Sequence, residues 1–222
     1  MKISVIIPNY NEEKTIKEII ERVKKLRINK EIIVVDDGST DKSLKIIKEI
    51  NGIKFYHHKK NMGKGAAIRT GIKNATGEII IMQDADLELY PEQIPDIVEP
   101  ILSNKAEAVY GSRNGNGREG RMILFYLGGH LVTFTTNLLY GTKLTDAPCG
   151  YKAFKTDLIK SIEIKSDGFE FEPEITAKLS KKGVKIYEIP VRSTTRKNDG
   201  KKLTKFDGIK ALWTLIKYRF KS

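Results

Sequence analysis

The chain has 222 residues at 25.1 kDa, 40% of them hydrophobic and 31% charged. That is enough to bury a core without cross-links, and it excludes a mini-protein, a disordered segment and a collagen-like rod. One cysteine, Cys149, excludes an internal disulfide and a multi-cysteine zinc site, while 40 Lys+Arg against 28 Asp+Glu give a net charge of +12. That charge points to a polyanion, an anionic membrane face or an anionic substrate as partner, with a lysine-rich thermophile surface as the alternative. No stretch of about 20 residues is apolar enough to span a bilayer, and no signal peptide precedes the first apolar run, so the cytoplasm is the expected compartment.

From the N-terminus, short β-branched runs at 3–7, 32–35, 53–56, 79–82 and 108–110 alternate with segments of helical periodicity. In the clearest of these, Ile16, Ile19, Ile20 and Val23 fall on one face. Strands alternating with helices predict βαβ units and a mainly parallel sheet, with the ligand beyond the carboxyl ends of the strands. A glycine-rich stretch at 111–120 separates this half from a less regular one. There, 122–140 is strongly apolar but holds Gly128, Gly129, His130, Asn137 and three threonines, which predicts a packed or membrane-facing hairpin, not a transmembrane helix. A helix near 174–182, a strand near 184–189 and a final helix from about Lys205 follow. The last carries Phe206, Ile209, Trp213, Ile216 and Phe220 on one face and Lys205, Lys210, Lys217 and Arg219 elsewhere. A single compact unit is expected, with 1–115 as its first half and 116–222 as its second.

The strand ends carry the chemistry. PNYNEE follows the first strand, DDGST the second and QDADLE the fourth, so Glu12, Asp36, Asp37, Asp84, Asp86 and Glu88 converge on one edge. Carboxylates so gathered repel one another unless a cation or donors sit among them, and oxygen ligands without clustered His or Cys favour Mg²⁺ or Mn²⁺. Cys149 has no His partner and is no thiol nucleophile, and His57, His58 and His130 do not look like ligands. NMGKGAAIRTG is not a dinucleotide fingerprint, since it lacks the third glycine and follows the third strand.

These motifs, VIIPNYNEE, EIIVVDDGSTD, NMGKGAAIRTG and IIIMQDADLE, resemble the family 2 glycosyltransferases, inverting enzymes of the GT-A fold. YGSR, LTDAPCGYKAF, GFEFEPEITAKL and RKNDGKKL narrow the likeness to dolichyl-phosphate mannose and dolichyl-phosphate glucose synthases. The resemblance implies an α/β nucleotide-sugar-binding fold with a C-terminal acceptor-side extension. It places Pro8, Tyr10, Glu12, Val35 and Asp37 against the base and ribose, and Asp84 and Ala85 along the sugar-nucleotide. Asp86 and Glu88 would hold the metal, although many members have Gln at the latter position. Lys64 would lie near the diphosphate and Arg113 would stabilise its departure. Arg196 and Lys202 would lie near the acceptor phosphate.

A lipid monophosphate is largely dianionic at pH 7, so its attack needs no general base but does need fixed positive charge. Residues 192–222 supply it, with ten Lys/Arg against two Asp. Glu170, Glu172 and Glu174 read either as the start of a helix, with Pro173 in its first turn, or as a source of a base or second metal ligand. Asp146 reads as loop structure near the acceptor. The implied reaction is transfer of a hexose from GDP-mannose, with UDP-glucose as the alternative donor, to a polyprenyl phosphate at the cytoplasmic face of a membrane. A sugar hydroxyl acceptor is a further alternative. Acceptor binding would rest on the 122–140 region and the final amphipathic helix at an anionic membrane surface, or on a separate membrane-protein partner. A pyrophosphorylase would need a glycine- and arginine-rich loop after the first strand. A nucleic-acid-binding module would have no use for the carboxylates, so no nucleic-acid partner is expected.

Overall fold

The computed structural model describes residues 1–115, 123–194 and 204–220. The first half forms the expected strand and helix alternation: β1 (Ile3–Asn9), α1 (Ile16–Lys25), β2 (Lys30–Asp36), α2 (Ser43–Lys48), β3 (Lys54–His57), α3 (Lys64–Asn74), β4 (Ile79–Met82), α4 (Ile94–Leu102) and β5 (Ala108–Ser112). The second half contributes α5 (Ile123–Tyr140), β6 (Lys152–Lys155), α6 (Thr156–Lys160), α7 (Phe171–Lys181), β7 (Ile186–Pro190) and α8 (Lys205–Phe220).

Seven strands form one sheet in the order β3-β2-β1-β4-β6-β5-β7. All run parallel except β6, which pairs antiparallel with β4 and with β5. Both faces are covered, so the central strands are apolar on both sides. On one face Val5, Ile7, Ile79 and Ile81 pack with Ile16, Ile19, Ile20 and Val23 of α1 and with Ile94, Ile97 and Ile101 of α4. On the other, Ile6, Ile33, Ile80 and Met82 pack with Ala67, Ile68 and Ile72 of α3 and with Phe171, Ile175 and Leu179 of α7. The strand period of two thus reads directly as two core layers.

Two expectations change. β6 has no counterpart among the runs read from the sequence. It enters between β4 and β5, with Lys152 opposite both Met82 and Tyr110. The hairpin expected at 122–140 is instead a continuous helix, α5. Its polar residues are satisfied locally, because the Thr133 hydroxyl donates to Gly129 O at 2.9 Å and that of Thr136 to Val132 O at 2.8 Å. At its C-terminal end the Asn137 side chain accepts the Leu144 N–H at 3.0 Å and donates to Leu144 O at 2.8 Å. Among the described residues no helix is long and apolar enough to cross a membrane.

Candidate active site

The loops after β1, β2, β4 and β5 meet α5, α7 and α8 around a cavity of about 750 Å³, a volume typical of small-molecule sites. Pro8, Tyr10, Glu12 and Asp37 are among its lining residues. Glu12 is buried, its amide donating to Ser43 Oγ at 2.9 Å and its carboxylate accepting from Thr15 Oγ1 at 3.1 Å. Asp37 accepts the N–H groups of Met62 at 3.0 Å and Gly63 at 2.7 Å, and its Oδ1 lies 2.6 Å from His58 Nδ1. The NMGKG loop is thereby tied to the end of β2. Gly63 sits at φ +100, where a side chain would also run into the Asp167 carbonyl, so this loop requires glycine.

Val35 does not line the cavity. It is fully buried beside Ile6, Ile33 and Ala67. In the parallel register it stands opposite Pro8, and strand alternation turns its side chain into the core. The chain reaches the cavity two residues later, at Asp37.

Asp84, Ala85, Asp86 and Glu88 also line the cavity. Their loop is anchored by the Gln83 N–H on Ile6 O at 2.9 Å and turns through Leu87 at φ +62. Asp86 Oδ1 accepts the Glu88 N–H at 3.0 Å. From the opposite side the Thr194 N–H donates to Glu88 O at 2.9 Å and its hydroxyl to Leu87 O at 3.2 Å. Burial, reinforced by the nearby Asp84 and Glu88 carboxylates, pushes Asp86 up to about 7. Lys64, the first residue of α3, places its Nζ 2.8 Å from Asp84 Oδ1 and 3.3 Å from Glu172 Oε1. Burial opposes its charge, but Asp84 and Glu172 outweigh that and raise its pKa.

Arg113, also on the cavity lining, grips Asp146 through two side-chain contacts, Nε to Oδ2 at 2.7 Å and NH2 to Oδ1 at 2.8 Å. Burial opposes the guanidinium charge, and Asp146 more than restores it. Asp146 is therefore the residue that aims Arg113. Beneath the cavity floor, Lys152 Nζ lies 3.1 Å from Glu172 Oε2. Burial would raise the Glu172 pKa, yet Lys152 and Lys64 together lower it. Glu174 points elsewhere: it accepts the N–H groups of Lys165 at 2.9 Å and Ser166 at 2.7 Å, and the Tyr218 hydroxyl at 2.8 Å.

Lys64 and Lys152 pair with Asp84 and Glu172, and Arg113 pairs with Asp146, while Asp86 and Glu88 set two carboxyl groups close together on the cavity lining. Such an oxygen donor pair suits a hard divalent cation. Among the described residues no three His, Cys, Asp or Glu side chains are arranged to hold a metal ion. Further coordination would have to come from ligand oxygens or water. Arg196 and Lys202 lie outside the described residues, and Thr194, close before them in sequence, is beside Glu88.

Residues 4–163 match the family Glycosyl transferase family 2. The chain belongs to this family. It is 30% identical, over 98% of its length, to the dolichol-phosphate mannosyltransferase of Pyrococcus furiosus, of which it spans 64%. It is 33% identical to the UDP-N-acetylglucosamine–dolichyl-phosphate N-acetylglucosaminyltransferase of Methanococcus voltae, covering 86% of this chain and 85% of that one. In structure it resembles glucosyl-3-phosphoglycerate synthase from Mycobacterium tuberculosis, with a TM-score of 0.78 over 99% of this chain and 78% of that one, at 21% identity. The GT-A fold implied by the motifs is therefore the fold of this family 2 transferase, and its sequence relatives include polyprenyl-phosphate sugar transferases.

Sequence reasoning missed the part of the site that this transferase builds from its second half. Lys152 and Glu172 were invisible as partners because they lie on different elements, 20 residues apart. Gly150 carried a signal, since a side chain there would come within 2.5 Å of Asp84 Oδ2. Its glycine lets the 146–150 turn close against the carboxylate loop.

Proposed function

We infer that this transferase moves a hexose, with inversion, from a nucleoside diphosphate sugar to a polyprenyl phosphate. GDP-mannose is placed first and UDP-glucose second. The observation that carries the reading is one cavity with two characters. Charged side chains, Asp84, Asp86, Glu88, Lys64 and Arg113, share its lining with Gly129, Val132, Thr133 and Thr136 of α5 and Gly208 and Ala211 of α8. The same two helices turn apolar side chains outward: Leu127, Leu131, Phe134 and Leu138 on α5, and Phe206, Ile209, Trp213, Ile216 and Phe220 on α8. With Lys210, Lys217 and Arg219 on α8, this surface suits an anionic membrane, from which a lipid phosphate would reach the cavity.

Pro8, Tyr10, Glu12 and Asp37 would hold the nucleoside. Asp86 and Glu88 would hold Mg²⁺ or Mn²⁺, which when bound supplies Lewis-acid charge toward the diphosphate. Lys64 and Arg113 would face the departing diphosphate from two sides, where negative charge grows as the sugar bond breaks. The acceptor phosphate is already ionised at neutral pH, so the reading assigns no general base. Glu172, held between two lysines, is poorly suited to that task. Arg196 and Lys202 are proposed for the acceptor phosphate.

Thermal unfolding with GDP-mannose, UDP-glucose and related donors, each with Mg²⁺ or Mn²⁺, tests the donor assignment. A ligand that binds only the native state raises the melting temperature. A shift with GDP-mannose that needs the metal is expected. A shift confined to a UDP-sugar would transfer the assignment, and no shift with any nucleotide sugar would contradict the reading.

A further inference from the structure

Lys152 is fully buried and is not among the residues that line the cavity, yet it touches both sides of the site. Its Nζ donates to the carbonyls of Ala147, at 3.1 Å, and Cys149, and to Glu172 Oε2 at 3.1 Å. It lies 4.5 Å from the Tyr110 ring centroid. An ammonium has three protons to donate, and three acceptors surround this one.

The three acceptors lead to two working groups. Ala147 and Cys149 belong to the turn that opens with Asp146, the bidentate partner of Arg113, and ends at Gly150 against Asp84. The other oxygen of Glu172 accepts from Lys64, which in turn holds Asp84. On the sheet Lys152 stands opposite Met82 and Tyr110, close before the loops that carry Asp84 and Arg113. Burying an ammonium carries a desolvation cost, and an apolar side chain of similar volume often stabilises such a place as well or better. Fold stability alone therefore does not account for a lysine here.

We propose that Lys152 is a positioning residue that clamps the Asp146–Cys149 turn and the Glu172 carboxylate at a fixed separation, so that Arg113 and Lys64 face one cavity from opposite sides. This rests on the sugar-transfer reading for its catalytic consequence, but the clamp itself has a separate readout. Cys149 is the only cysteine in the chain, fully buried in the clamped turn, so its labelling by a thiol reagent reports opening of that turn.

The test is Lys152→Met, with Glu172→Gln as a second variant that leaves the lysine in place should the first fail to fold. Three quantities are measured: native-state labelling of Cys149 relative to the global unfolding rate, melting temperature, and kcat and KM for the nucleotide sugar. The expected result is Cys149 labelling at least tenfold faster than the change in global stability explains. With it comes a fall in kcat of about 30- to 100-fold while the donor KM moves less than threefold, because groups aimed at developing charge act on the transition state more than on binding. Unchanged relative labelling overturns the clamp. Faster labelling with wild-type kcat overturns the positioning role. A wild-type protein that transfers no sugar defeats the reading of function, and the labelling rates still decide the clamp.

Discussion

The two halves of this chain handle apolar surface in opposite ways. In the first, α1, α3 and α4 bury their apolar faces against the sheet, and the loops at its carboxyl edge expose charge. In the second, α5 and α8 pack on each other and on α7, yet among the described residues they turn large apolar side chains outward, Leu127, Leu131, Phe134 and Leu138 on α5 and Phe206, Ile209, Trp213, Ile216 and Phe220 on α8. A helix that only completes a core has no reason to present Phe134 at 65% or Phe220 at 81% exposure. The contrast separates a rigid charged edge from an apolar surface open to a partner, with the cavity joining them.

The charged edge gives the largest expected effects. Asp86→Ala should reduce sugar transfer by about 10³-fold or more in a steady-state assay, since it removes one of the two carboxylates proposed to hold the metal. Arg113→Ala should cost about 10²-fold in kcat. Asp146→Asn should reproduce much of that loss without touching the diphosphate, because Asp146 holds the guanidinium through two contacts. If Asp146→Asn leaves kcat intact, the aiming of Arg113 by its partner is wrong.

The apolar surface gives smaller effects of a different kind. Replacing Phe134 and Trp213 together by Glu should reduce flotation with anionic vesicles about tenfold or more at low salt, while transfer to a short, detergent-dispersed acceptor persists. Equal flotation of variant and wild type would mean that α5 and α8 do not face lipid. Val35→Ala, read by denaturant unfolding, should cost about 1–2 kcal/mol through lost burial and leave donor KM unchanged. A raised KM without lost stability would return Val35 to the nucleotide.

The mildest change concerns how α8 is held. Burial would raise the Glu174 pKa, but Lys178 and the N–H groups of Lys165 and Ser166 outweigh it and depress it to about 2. A depressed carboxylate stabilises the fold above its unfolded value and loses that contribution as pH falls through its folded value. Stability should therefore decline between about pH 4.5 and 2, and Glu174→Gln should flatten that decline in pH-dependent unfolding.

The first half was legible because its signals are local. Ile16, Ile19, Ile20 and Val23 mark one helix face, and Asp37 and Asp84 lie within two residues of the ends of strands that β-branched runs announce. β6 was not legible, since its four residues begin and end in lysine and the buried Lys152 is made tolerable by partners that lie outside the strand, Ala147 O, Cys149 O and Glu172. The hairpin expected for α5 reflects the helix-weakening reputation of Gly128 and Gly129. Thr133 and Thr136 bonding back along the helix answers the polar side of that objection. Val35 shares its motif with Asp37 on the cavity lining, but its strand position turns its side chain into the core. On α8 the apolar stripe was readable, but only the structure tells that it faces outward.

The most direct measurement is transfer of labelled sugar from GDP-mannose and UDP-glucose, with Mn²⁺ or Mg²⁺, into an organic-extractable polyprenyl phosphate product, comparing wild type with Asp86→Ala. The account predicts lipid-linked label with wild type for one donor, dependent on the metal, and near-background label with the folded variant. Absence of label with every donor, or equal label from the Asp86→Ala variant, would contradict it.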